Sequence, residues 1–93
     1  MTRQLNPRKL ALFVPDLRGG GAERVMLVLA GALAKRGLDV DLVLARAMGE
    51  YLALVPKNVR LVDLKAPRLR ATPPRLARYL RRARPAALLS AYD

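Results

Sequence analysis

The feature that most constrains this chain is a junction near its start. The apolar run Leu10 to Val14 is stopped by Pro15, passes through Asp16 to Arg18, and meets three consecutive glycines, Gly19, Gly20 and Gly21. A helical pattern follows at once. Glycine loses more backbone freedom on folding than any other residue, so three of them directly before a helix need a reason. The choices are a tight turn or the close approach of something to bare backbone. The apolar run itself suits a strand buried on both faces of a parallel sheet. After the glycines, apolar residues recur at Val25, Met26, Leu29, Ala32 and Leu33, the spacing of one helix face. Lys35 and Arg36 complement the dipole in the last turn, and Gly37 supplies a left-handed C-terminal cap.

The remaining segments extend the same alternation. Leu38 to Ala45 opens with every second residue apolar and ends continuously apolar, a second strand. The connection after it carries one helical turn around Tyr51 to Val55, and Val59 to Leu64 reads as a third strand. Thr72 and Pro73 read as an N-cap with proline at the first helical position. Leu76, Tyr79, Leu80 and Ala83 then form the apolar stripe of a second helix that Pro85 terminates, and Ala86 to Ala91 starts a fourth strand. Strand–helix–strand–strand–helix–strand predicts an α/β fold, a Rossmann-like layered parallel sheet with right-handed crossovers. The fourth strand lacks a covering helix, so residues 1–93 read as a partial domain.

Composition removes several chemistries. The chain has no cysteine and no histidine, which excludes disulfides, thiolate zinc sites and imidazole bases. Its longest apolar stretch, Val25 to Ala34, is half the roughly 20 residues a membrane-spanning helix needs. The formal net charge is +11, which points to an anionic partner such as a membrane, a nucleic acid or a phosphorylated substrate, or to a source rich in arginine.

The glycines join the carboxyl end of a strand to a helix N-terminus, where open α/β sheets bind ligands and unpaired N–H groups favour anions. A P-loop needs Lys-Ser/Thr after its last glycine, and Ala22-Glu23 stands there instead. A dinucleotide fingerprint fails at its final glycine, which is Arg24. Arg46 occupies the place of the ribose-binding acid, where it would suit the 2′-phosphate of an NADP domain.

The junction as a whole resembles the start of a family 4-type glycosyltransferase with the GT-B fold. The apolar strand, "GGGAER", the amphipathic helix and Arg36-Gly37-Leu38-Asp39-Val40 match that family's opening pattern, with Leu38 where histidine is common. "VPKNVRLVDL" and "RPAALLSAYD" resemble its third and fourth strand segments. The resemblance implies the incomplete N-terminal, acceptor-side half of a retaining glycosyltransferase of the hexosyltransferase class. It implies a nucleotide-sugar donor as substrate, no cofactor or metal, and a glycan or lipid-linked acceptor, as in polysaccharide biosynthesis. It also implies a second domain holding the nucleotide and the paired glutamates, so that this segment alone is inactive. By position, Gly19, Gly20 and Gly21 would touch the donor phosphates or sugar.

Other residues around the junction carry two readings each. Glu23 in the first helical turn is stabilised by the dipole or contacts a ligand; Arg24 pairs with the diphosphate or is solvated. Asp16 and Arg18 flank the loop as acceptor contacts or hinge residues, and Ser90, Tyr92 and Asp93 would lie at the carboxyl end of the fourth strand. On the second helix Arg75, Arg78 and Arg82 share a face, opposite the apolar stripe, suited to anionic lipid or simply to water. A cytoplasmic enzyme, peripheral on the cytoplasmic face of the membrane, is the coherent expectation. The alternative is a small basic module binding nucleic acid or an anionic membrane. Against nucleic acid, Phe13, Tyr51, Tyr79 and Tyr92 are too scattered to form a stacking platform.

Overall fold

The computed structural model describes residues 6–18 and 20–90. Gly19, Ala91, Tyr92 and Asp93 lie outside the described residues. Four strands, β1 (Asn6–Val14), β2 (Asp39–Leu44), β3 (Arg60–Asp63) and β4 (Pro85–Ser90), form one sheet in the order β3-β2-β1-β4. Every pairing is parallel. Two helices, α1 (Gly21–Lys35) and α2 (Thr72–Ala83), complete the expected α/β layers. Between β2 and β3 the expected helical turn is a 3-10 helix at Glu50–Leu54.

Alternation along β1 sorts the core into two clusters, because successive strand side chains point to opposite faces. Leu12 and Val14 pack with Leu42, Leu44, Met26, Leu27 and Ala30, under α1. Ala11 and Phe13 pack with Val43, Ala45 and Leu64, and Leu76 and Tyr79 of α2 cover them. The central strands thus bury both faces, as a continuous apolar run requires.

Three expectations need correction. The first strand begins at Asn6, not Leu10, because Asn6 pairs with Pro85 across an irregularity before regular pairing resumes at Leu10. Lys9 can enter the sheet because its ammonium lies 3.3 Å from the carboxylates of both Asp39 and Asp41. Val25 and Ala32, read as part of the buried face of α1, are exposed, Val25 at 64%, while Leu27 and Ala30 are buried instead. Residues 25–34 are apolar on every side, so periodicity alone leaves the direction of the inner face open. Thr72 is the first residue of α2 and Ala71 its cap, which puts Pro73 second. The Thr72 hydroxyl makes no capping bond and is buried without a protein partner.

One buried polar cluster sits beneath α2. Asp41 is fully buried, and its Oδ2 accepts from the Lys9 ammonium at 3.3 Å and from the Tyr79 hydroxyl at 2.5 Å. Burial, and then the bond to Asp41, push the Tyr79 phenol far above its usual value of 10.0.

Candidate functional site

Three loops leave the carboxyl ends of β1, β2 and β3, which are neighbours in the sheet. Backbone hydrogen bonds tie them into one platform. The Arg46 N–H donates to the Pro15 carbonyl at 3.1 Å, Leu17 N–H to Met48 at 2.9 Å, and Tyr51 N–H to Leu17 at 2.9 Å. On the other side Ala66 N–H donates to Ala45 at 2.9 Å. The Asp63 carboxylate accepts from both Ala47 N–H (3.1 Å) and Lys65 N–H (2.8 Å). Leu17, fully buried, anchors the first loop from below.

Gly49 is the glycine this platform needs. Its φ is +118°, a conformation reserved for glycine, and a Cβ there would run into the Leu17 carbonyl and the Arg18 nitrogen. The second loop therefore presses backbone to backbone against the first. Sequence reasoning passed Gly49 over, since a lone glycine in a connection carries no spacing signal.

The described glycines of the triplet behave differently. Gly20 is extended and exposed; a Cβ there would meet only the Glu23 carboxylate, which folds back over it. Gly21 opens α1, is exposed, and has nothing within 4 Å of where a Cβ would stand. Neither residue is glycine for the sake of this chain's own packing. Glu23 lies in the first turn of α1 and Arg24 points to solvent, its N–H closing the first helical bond to Gly20 at 3.2 Å.

Beside the loop, on the same edge, is a cavity of about 290 Å³. Its charged walls are Asp16 and Arg18 from the first loop, Arg46 from the second and Arg68 from the third. Arg18 is held locally, its Nε donating to Asp16 Oδ2 at 3.0 Å and its N–H to Asp16 Oδ1 at 3.2 Å. Asp16 and Arg18, read separately in the sequence, are thus one ion pair. Ser90 is exposed and paired with Phe13 at the same end of the sheet. Arg46 and Arg68 join this edge only in three dimensions, because they lie on separate loops.

A larger, more open groove of about 920 Å³ runs along α2 beside β3. Lys9, Arg60, Arg75, Arg78, Arg81 and Arg82 line it, with Tyr79 and Asp63. Arg75, Arg78 and Arg82 share this surface, but it is not opposite the apolar stripe of α2 as expected. Tyr79 of that stripe lines the same groove, because residues one position apart on a helix lie only about 100° apart. The Arg75 guanidinium also reaches back to the Leu64 carbonyl at 2.9 Å. The smaller cavity is the better candidate for small-ligand chemistry, because the loops after β1, β2 and β3 line it at the carboxyl edge of the sheet. No described helix is long and apolar enough to cross a membrane.

An open parallel sheet with its loops gathered at the carboxyl edge defines an α/β domain of the Rossmann-like class, with that edge as its ligand side. Within the class the assignment is specific: residues 19–92 match Glycosyltransferase Family 4, and the chain belongs to that family. No curated protein and no solved structure matches the chain.

Proposed function

We propose that this chain supplies the acceptor-side part of a retaining glycosyltransferase that moves a sugar from a nucleotide-sugar to a glycan or lipid-linked acceptor. The observation that carries the reading is the pair Gly20 and Gly21. They stand at a helix N-terminus on the ligand edge. Among the described residues a Cβ on Gly21 would meet nothing, and one on Gly20 only the flexible Glu23 side chain. Their bare backbone is then explained by a partner outside the chain, the donor diphosphate or sugar, which the free N–H groups of α1 favour electrostatically. In this reading a second domain contributes the nucleotide contacts and the catalytic carboxylates, and neither a metal nor a cofactor takes part. The groove along α2 supports a second contact, with the anionic cytoplasmic face of a membrane, where each basic residue contributes roughly 1 kcal/mol.

Titration of the 93-residue chain with a uridine or guanosine diphosphate, followed by amide NMR, tests the loop. The Gly20 to Glu23 amides should move, and no nucleotide-sugar should be turned over. Turnover by the pure chain would overturn the division of labour between two domains; an unmoved loop would overturn the role of the glycines.

A further inference from the structure

The cavity beside the glycine loop has an electrostatic character of its own. Its three guanidiniums come from three different loops, Arg18 after β1, Arg46 after β2 and Arg68 after β3. Only Arg18 has an acidic partner. Arg46 and Arg68 form no salt bridge among the described residues, and both are exposed. Against the single carboxylate of Asp16, the three guanidiniums leave the cavity with an excess of positive charge that attracts an anion. The floor is apolar and shut, Ala45 at 3% and Ala66 at 1% exposure. The backbone bonds from Arg46 to Pro15 and from Ala66 to Ala45 fix the loops, so little ordering remains to be done on binding.

We infer that Arg46 and Arg68, with Arg18 at the rim, form a binding site for a phosphate group carried by the acceptor. A carboxylate is planar, singly charged and matched by one guanidinium fork. A phosphate is tetrahedral, doubly charged and has oxygens for forks arriving from separate directions. From the first loop the cavity is lined by Pro15, Asp16 and Arg18, but not by Gly20, Gly21 or the first turn of α1. The phosphate held here is therefore distinct from the donor diphosphate assigned to the glycines. The inference deepens the transferase reading and rests on it only for the word acceptor; the phosphate site itself stands on the three arginines. Whether that phosphate belongs to a soluble sugar phosphate or to a lipid head group, the recognising chemistry is the same.

The test follows the side-chain Nε–H signals of the ¹⁵N-labelled full chain as inorganic phosphate is added, and in a second arm vesicles containing phosphatidic acid. The signals of Arg46 and Arg68 should move in at least one arm, and the tighter arm identifies the source. Arg46→Gln and Arg68→Gln should each weaken binding by about tenfold or more, as expected for a lost charge-assisted pair. Arg78→Gln, in the groove along α2, should leave the binding of inorganic phosphate unchanged. Equal weakening of phosphate binding by Arg78→Gln would reduce the site to diffuse positive charge and overturn the proposal. So would unmoved Arg46 and Arg68 signals in both arms. Competition by uridine diphosphate against phosphate would transfer the cavity to the donor and also overturn it. The two readings fail separately. A glycine loop that answers to uridine diphosphate while the arginines ignore phosphate defeats this inference alone. Arginines that bind phosphate beside an unresponsive glycine loop defeat the donor reading alone.

Discussion

Two glycines of the same chain have opposite reasons to exist. Gly49 is held at φ +118° against the backbone of Leu17 and Arg18, so a methyl group there meets both conformational strain and collision. Gly49→Ala should cost more than about 3 kcal/mol in urea denaturation, the range of strain combined with overpacking. Gly21→Ala, exposed with open space around it, should leave stability unchanged or raise it by up to about 1 kcal/mol, since alanine is the better helix former. A large loss for Gly21→Ala would mean that the fold does require the triplet. The triplet was visible in the sequence because repetition is itself a signal. Gly49 was not, because its need arises from a loop distant in the chain. Arg68 escaped as a site residue, and Arg46 was read only as a partner for a 2′-phosphate, for the same reason: linear spacing cannot show that two strand ends are neighbours.

At the scale of elements, the strands and helices were legible to within a few residues. Pro15, Gly37, Pro56 and Pro85 punctuate them, and the apolar runs between those points are long enough to be unambiguous. Facing was harder. The apolar stripe of α2 was legible since arginines occupy the rest of its circumference, whereas α1 is apolar all round and its inner face was misjudged at Val25 and Ala32. The buried contact of α2 with Asp41 gives the element a pH signature. The folded pKa of Tyr79 is raised, so its neutral form stabilises the fold fully below the unfolded value near 10. That contribution is lost as pH rises beyond about 10 toward the folded value. Denaturation midpoints measured from pH 8 to 11 should therefore fall more steeply for the native chain than for Tyr79→Phe. Parallel pH profiles would show that the hydroxyl is not held as described. Tyr79→Phe should also be less stable at pH 8, because it leaves the buried Asp41 carboxylate with the Lys9 ammonium as its remaining side-chain donor.

For the whole molecule, charge and topology together separate two surfaces. The candidate ligand cavity lies at the carboxyl edge of the sheet, while the basic groove runs along α2 on one of its faces. Membrane attachment through the groove leaves the edge accessible. The chain should cosediment with anionic vesicles, fail to do so with neutral ones, and be released near 1 M salt, where the Debye length is roughly 3 Å. Arg78→Gln with Arg82→Gln should weaken that binding without altering the thermal midpoint. Equal retention on neutral vesicles would remove the electrostatic membrane reading.

The sheet order also sets a timetable. β1 is one of two inner strands, and its register with β4 places Leu10 against Ala87, far along the sequence. As the polypeptide leaves the ribosome, "LALFV" is made early, and β2 can cover one of its edges soon afterwards. The other edge waits until α1, β2, β3 and α2 have been synthesised. Non-local parallel pairing of this kind is slow, because the loop must close before any contact rewards it. During that interval the apolar segment of β1 from Leu10 to Val14 stands unpaired along one side. The cellular fate of this chain is consequently decided as much by how long β1 waits for β4 as by how stable the finished sheet becomes.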